Sequence, residues 1–193
     1  CHNTPYESFE TFLPEDESMR KLCIQSMQKN EIKLHYNAPG IFQIDGEFNP
    51  CSENPEYRKN ALNLAKKHIC YAAEAESPII VFAACPDKGI KKRPELLKRF
   101  MEYFLELAEL CRTYHMEITI EPIERHRFKK LILGPFKDCA DFMLEAQKNG
   151  AANAHLMIDT AHLPLMEESL ETAIKETQRA GLIHVHLGDA VLD

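Results

Sequence analysis

Only seven glycines occur in 193 residues, and none builds the Gly-rich strand-to-helix turn that announces a dinucleotide-binding sheet. Long apolar runs are also missing. The longest, residues 78–85, is strand-sized and far short of the ~18 residues a membrane span needs. The start of the chain is polar and aromatic, with no basic segment leading into an apolar one, so it does not read as a secretory signal. The seven cysteines are odd in number, scattered and free of any C-x-x-C pair. That usage suits a reducing compartment better than a disulfide framework or a zinc knuckle, and a cytoplasmic location is expected. Positive charge is in short supply too: the net charge of −7 argues against a nucleic-acid partner, and no membrane partner is expected either.

What is present is the composition of one soluble globular domain, with 45% hydrophobic and 27% charged residues. One pattern recurs: a short apolar run, a polar connection, then an amphipathic helix. Strands are expected at 32–37, 77–84, 117–122, 154–159 and 182–187, with helices near 15–29, 55–75, 93–115, 137–149 and 166–180. In the third helix Leu97, Phe100, Met101, Phe104, Leu107, Ala108 and Cys111 recur at helical spacing and mark one buried face. Asn54 and Ser52 offer capping groups before the second helix, and Pro94 suits the first turn of the third.

Apolar runs without alternation, such as 78–84 and 155–158, belong to strands covered on both faces, as in parallel sheets. Regular β-α alternation leaves a doubly wound sheet or a (β/α)8 TIM barrel. Polar residues at the ends of successive strands favour the barrel. A whole barrel takes eight strands and about 250 residues. The five strands here, and a start at Cys1 rather than Met, imply a single barrel domain over 1–193 that is truncated at both ends and holds about strands 3 to 7. A barrel fragment with two unpaired edges is prone to association, which leaves a homo-oligomer open.

Three strand ends carry chemistry. Glu117-Ile118-Thr119-Ile120-Glu121-Pro122 stops on a carboxylate. The run beginning at His155 ends on Asp159, with His162 just beyond. In His184-Val185-His186 the two imidazoles are two apart and share a strand face. Two carboxylates on one partly buried rim need their charge compensated, and a divalent cation does this. Two oxygen donors and an imidazole suit Mn²⁺, Mg²⁺, Co²⁺ or Zn²⁺ without choosing among them. The bland alternatives are a solvated loop glutamate, an Asp159 that only caps a turn, and a histidine satisfied in the core.

The succession I-E-P at Glu121, I-D-T-x-H at Asp159 to His162, and H-x-H-x-G-D at His184 to Asp189 resembles the xylose isomerase-like TIM barrels. That family includes the sugar-phosphate isomerases and epimerases and, more distantly, endonuclease IV. The resemblance implies metal ligands Glu121, Asp159 and His186, with a fourth beyond Asp193, and one divalent cation as cofactor, Mn²⁺ foremost. It also implies that Glu121 and His162 are catalytic, with His162 on substrate oxygens and His184 beside the metal as a substrate-binding residue. The implied reaction is isomerisation or epimerisation of a sugar or sugar derivative, by proton abstraction through a metal-stabilised enediolate.

The chain departs from the ketose 3-epimerase pattern at Arg127 and Leu192, where that pattern has Glu and Arg. It departs from the nuclease pattern at 81–84, which lacks a histidine, although His35 matches that pattern. A carbon-acid lyase of the C-glycoside deglycosidase kind, a nuclease and a non-catalytic barrel scaffold are the alternatives. The basic run from Arg125 to Lys130 follows Glu121 directly. It reads either as a solvated loop or as a handle for a phosphate, carboxylate or phenolate, with Arg125 and His126 as substrate-binding candidates. A second basic cluster, Lys88 to Arg93, reads as a loop and helix start.

Overall fold

The structure, a computed structural model, describes residues 6–40 and 46–190. Six strands form one wholly parallel sheet in chain order: β1 (Ser8–Thr11), β2 (Lys33–Asn37), β3 (Ile79–Ala83), β4 (Glu117–Glu121), β5 (Ala154–Asp159) and β6 (Leu182–His186). The connecting helices are α1 (Glu17–Lys29), α2 (Pro55–Glu74), α3 (Arg93–Thr113), α4 (Phe136–Lys148), the single turn α5 (Leu163–Met166) and α6 (Leu170–Ala180). The sheet curls far enough for side chains on its two edge strands to touch: Glu10 on β1 meets His184 and His186 on β6. This is a partial TIM barrel.

The expectation of five strands is corrected to six. β1 is only four residues long with Phe9 its one apolar residue, too short for periodicity to reveal it. The single helix expected over 166–180 divides into α5 and α6 because Glu167 takes a left-handed conformation (φ 59°). The caps behave as expected: Asn54 accepts from the Glu56 amide, and Pro94 sits in the first turn of α3.

Register sorts the strands into two faces. Leu34, Tyr36, Ile80, Phe82, Ile118, Ile120, Ala154 and Leu156 point outward and pack beneath the helices, where they build the main core. The other face carries Glu10, His35, Asn37, Thr119, Glu121, His155, Asp159, His184 and His186. That face also holds the buried apolar side chains of Ile79, Val81 and Met157, so the barrel interior combines apolar filling with polar groups.

One irregularity decides whether β6 takes part. Leu156 pairs with Leu182, but Met157 pairs with His184 and Asp159 with His186, so Ile183 is an extra residue in the ladder. Without this bulge Val185 would stand beside Asp159, and both histidines would turn to the helix face. Gly181 lies just upstream with φ +89°, and a Cβ there would sit 2.6 Å from His155 Nδ1. His155 cannot readily yield, since its Nε2 is 2.9 Å from Glu117. Gly181→Ala should therefore lower stability by about 1–3 kcal/mol in urea unfolding, through left-handed strain and collision.

Between α2 and β2, the Tyr36 hydroxyl and His68 Nδ1 share a hydrogen bond of 2.7 Å. Burial pulls the His68 pKa down to about 4 from 6.5, so the ring is neutral in the folded state. A base whose folded value is depressed stabilises the fold above its unfolded value. It loses that contribution as pH falls, because the unfolded chain takes a proton the folded one refuses. Between about pH 6.5 and 4 the protein should lose about 3 kcal/mol through this residue. Urea midpoints at pH 7 and 4.5 should converge for His68→Leu relative to the parent; equal pH sensitivity of the two proteins would count against this assignment.

Candidate metal centre

Glu121 is the last residue of β4, where Pro122 ends the ladder, and its side chain is only 14% exposed. Its Oε1 lies 3.5 Å from His162 Nε2 and 3.8 Å from His186 Nδ1. Asp159 ends β5 and divides its two oxygens. Oδ1 accepts from the Ala161 amide at 2.8 Å, capping the short turn Thr160–His162, while Oδ2 faces His186 Nδ1 at 3.6 Å. Capping occupies one oxygen only and leaves Oδ2 turned toward the histidine. Thr160 locks the two motifs together, donating to the Gly188 carbonyl at 2.7 Å and accepting from the Gly188 amide at 2.8 Å.

Burial alone would raise the Glu121 carboxyl pKa, but His162 and His186 outweigh it and hold the value at about 2. The carboxylates Glu10 and Glu121 push His186 up to about 10. For His162 burial works downward, yet the Glu121, Asp159 and Glu124 carboxylates raise it on balance. The cluster is thus short of positive charge and draws protons to its imidazoles. Donors bound at ~2.1 Å to one octahedral ion stand about 3 Å apart. His186 Nδ1, at 3.8 and 3.6 Å from the Glu121 and Asp159 oxygens, stands less than an ångström beyond that spacing, and ligand atoms of Glu121, Asp159 and His162 lie within 4.8 Å of one another, so the donor set fits a small divalent cation.

Two features lay beyond the sequence reading. Glu10, on the unrecognised β1, accepts from His184 Nε2 at 2.5 Å and His186 Nε2 at 2.9 Å through one oxygen. Its other oxygen accepts from Asn37 at 2.6 Å. Burial would raise its pKa, but these three donors hold it well below the usual carboxylate range. Glu124, a buried loop residue, brings Oε2 to 3.1 Å from His162 Nδ1. The angles do not make a hydrogen bond, and both atoms are buried without a partner among the described residues. The spacing Glu121-x-x-Glu124 was a signal in the sequence, but nothing there showed that the loop folds back.

The basic run separates into different environments. Arg125 is only 7% exposed, and its guanidinium donates to the Ile132 carbonyl at 2.6 Å and to Asp138 at 2.7 Å. Those contacts place it under the loop as a framework residue rather than free on the rim. His126 is exposed on the same loop, and Arg127 pairs with Glu167 at 3.2 Å. In the other cluster Arg93 makes a two-point contact with Asp87 and Lys92 pairs with Glu53. Leu192 lies outside the described residues. No helix among the described residues is long and apolar enough to cross a membrane, and the six described cysteines are free.

A curled parallel sheet with helices outside and carboxylates and imidazoles on its C-terminal rim defines a barrel of the α/β enzyme type. The chain belongs to the xylose isomerase-like TIM barrel family, whose model matches residues 1–192. The D-psicose 3-epimerase of Ruminiclostridium cellulolyticum is 25% identical over 174 residues, covering 84% of this chain and 57% of that protein. The structure of D-psicose 3-epimerase with D-tagatose from Clostridium cellulolyticum H10 superposes with a TM-score of 0.79 at 20% identity, over 95% of this chain and 63% of the other. A D-tagatose 3-epimerase-like protein gives 0.76 at 21% identity, over 95% and 67%. The chain thus spans little more than half the length of the curated relative it matches.

Proposed function

We propose that this protein is a divalent-metal-dependent isomerase or epimerase of a sugar or sugar derivative, working by proton transfer at a carbon next to a carbonyl. The observation that carries the reading is the convergence of Glu121, Asp159 and His186 Nδ1 at the ends of three neighbouring strands, with donor separations of 3.6–3.8 Å to His186. These three residues hold the cation, Mn²⁺ foremost. When bound, the ion supplies positive charge that acidifies the neighbouring C–H and stabilises the oxyanion that follows.

Everything else in the reaction falls to the chain's own groups. Glu121 is the base: it is buried and ionised, and its Oε1 faces the interior of the barrel. His162, flanked by the Glu121 and Glu124 carboxylates, orients a substrate hydroxyl or carbonyl. His184 flanks the ion, and His126 is positioned on the exposed loop to meet a polar group of the substrate. The curated relative, a D-psicose 3-epimerase, supports a small carbohydrate as substrate. A nuclease reading finds less support, because β3 and the residue after it (Val81-Phe82-Ala83-Ala84) offer no imidazole to a multi-metal cluster.

The test is solvent exchange. Protein loaded with Mn²⁺ is incubated in D₂O with D-psicose, D-fructose and D-tagatose, and the C3 proton is followed by NMR. Deuterium should enter at C3 and the epimer should accumulate. Metal-loaded protein that exchanges no carbon-bound proton of any of these sugars, or of their phosphates, would sink the proposal.

A further inference from the structure

We infer that Glu10 is a positioning residue for the metal ligand His186, gripping both histidines of β6 from the opposite edge of the sheet. The inference rests on the metal reading proposed above and adds to it a residue acting through His186.

The two nitrogens of the His186 ring face different partners. His186 Nδ1 faces the Asp159 and Glu121 carboxylates at 3.6 and 3.8 Å, while Nε2 faces Glu10 Oε2 at 2.9 Å. An imidazole binds a cation through a lone pair, so Nδ1 can serve only if the ring proton resides on Nε2. A carboxylate on Nε2 fixes that tautomer and sets the plane of the ring. It also makes the ring a better donor. His184 Nε2 delivers a second N–H to the same oxygen at 2.5 Å, and the two rings meet edge to face with centroids 5.0 Å apart. Each ring therefore limits the tilt of the other.

Glu10 is itself held in place. Asn37 on the neighbouring β2 donates to its other oxygen at 2.6 Å, and His35, paired with Glu10 across the β1–β2 ladder, sets its ring against His184 at 5.3 Å. Residues from both edge strands thus form one hydrogen-bonded group across the curled sheet. This matters because β6 is an edge strand with a bulge, the least constrained part of the ladder. Main-chain pairing to β5 alone leaves the swing of the His186 ring undetermined. The hydrogen bond from Glu10 supplies that constraint, and Glu10 needs no contact with cation or substrate to do so.

Mn²⁺ affinity, read from the loss of the free-ion EPR signal on titration, tests this without any substrate. Glu10→Ala should bind Mn²⁺ about 10–100-fold more weakly than the parent. Glu10→Gln keeps one acceptor at the same reach and should fall between the two. In a His186→Ala background, Glu10→Ala should cost less than a further twofold, because the group it positions is gone. Circular dichroism of the metal-free variants verifies that each is folded, and the isosteric Glu10→Gln carries the test if Glu10→Ala is not. Binding by folded Glu10→Ala within twofold of the parent would overturn the inference and leave the metal reading standing. A tenfold loss that persists without His186 would overturn it by making Glu10 a ligand in its own right. A parent protein that binds no Mn²⁺ would instead remove the metal reading, and this inference with it.

Discussion

Glu121→Gln should leave a folded protein in which carbon-bound proton exchange falls by about 10²–10⁴ and Mn²⁺ binding weakens sharply. The substitution preserves shape and hydrogen-bonding reach while removing the charge, so the packing around Ile120 and Pro122 is undisturbed. The charge is what the site depends on. Glu121 Oε1 stands between His162 Nε2 and His186 Nδ1, and those two imidazoles hold its pKa at about 2 against the opposing effect of burial. A neutral amide can neither neutralise a cation nor remove a proton. Exchange in D₂O and Mn²⁺ titration read the two losses separately. A variant that keeps its metal and loses exchange would isolate the role of base; unchanged exchange would remove Glu121 from the chemistry altogether.

Phe104→Ala should cost about 3–5 kcal/mol of folding stability, the largest single loss expected in the core. Phe104 is fully buried on α3. Its ring stacks on Phe100 with centroids 6.3 Å apart and meets Phe142 of α4 edge-on at 5.7 Å. Phe100 and Phe142 are themselves in contact at 5.5 Å, so the three rings form one wedge between the two helices that cover the middle of the sheet. Truncation leaves a cavity that neighbouring helices can close only partly, in addition to the transfer energy of the lost ring. Urea unfolding monitored by far-UV circular dichroism gives the number, and Phe104→Leu should lose less. The folded fraction of Phe104→Ala should bind Mn²⁺ as the parent does, because no ring in the wedge touches the rim.

The strands that bear Glu121, Asp159 and His186 were legible because each ends a short apolar run on a polar residue, a local pattern that survives without knowledge of neighbours. The helix faces were legible for the same reason, with Phe100, Phe104, Leu107 and Cys111 falling on one side of α3. What escaped was set by pairing. β1 offers four residues of which three are polar, and Glu10 gains its meaning only when the sheet curls and β6 comes opposite. The bulge at Ile183 decides which way His184 and His186 face, yet it is a property of the β5–β6 ladder and has no signature within β6 itself. Arg125 shows the same limit. Its place in a basic run suggested an exposed handle, but the loop folds back so that the Ile132 amide meets the Cys85 carbonyl, and the guanidinium is enclosed against Asp138.

The central claim is that Glu121, Asp159 and His186 hold a divalent cation at the rim of the barrel. Anomalous scattering from crystals grown with Mn²⁺, collected on both sides of the manganese edge, tests it most directly. One strong edge-dependent peak is expected within about 2.0–2.4 Å of a Glu121 oxygen, Asp159 Oδ2 and His186 Nδ1. No peak there, or a peak that engages His186 through Nε2 in place of Glu10, would contradict it.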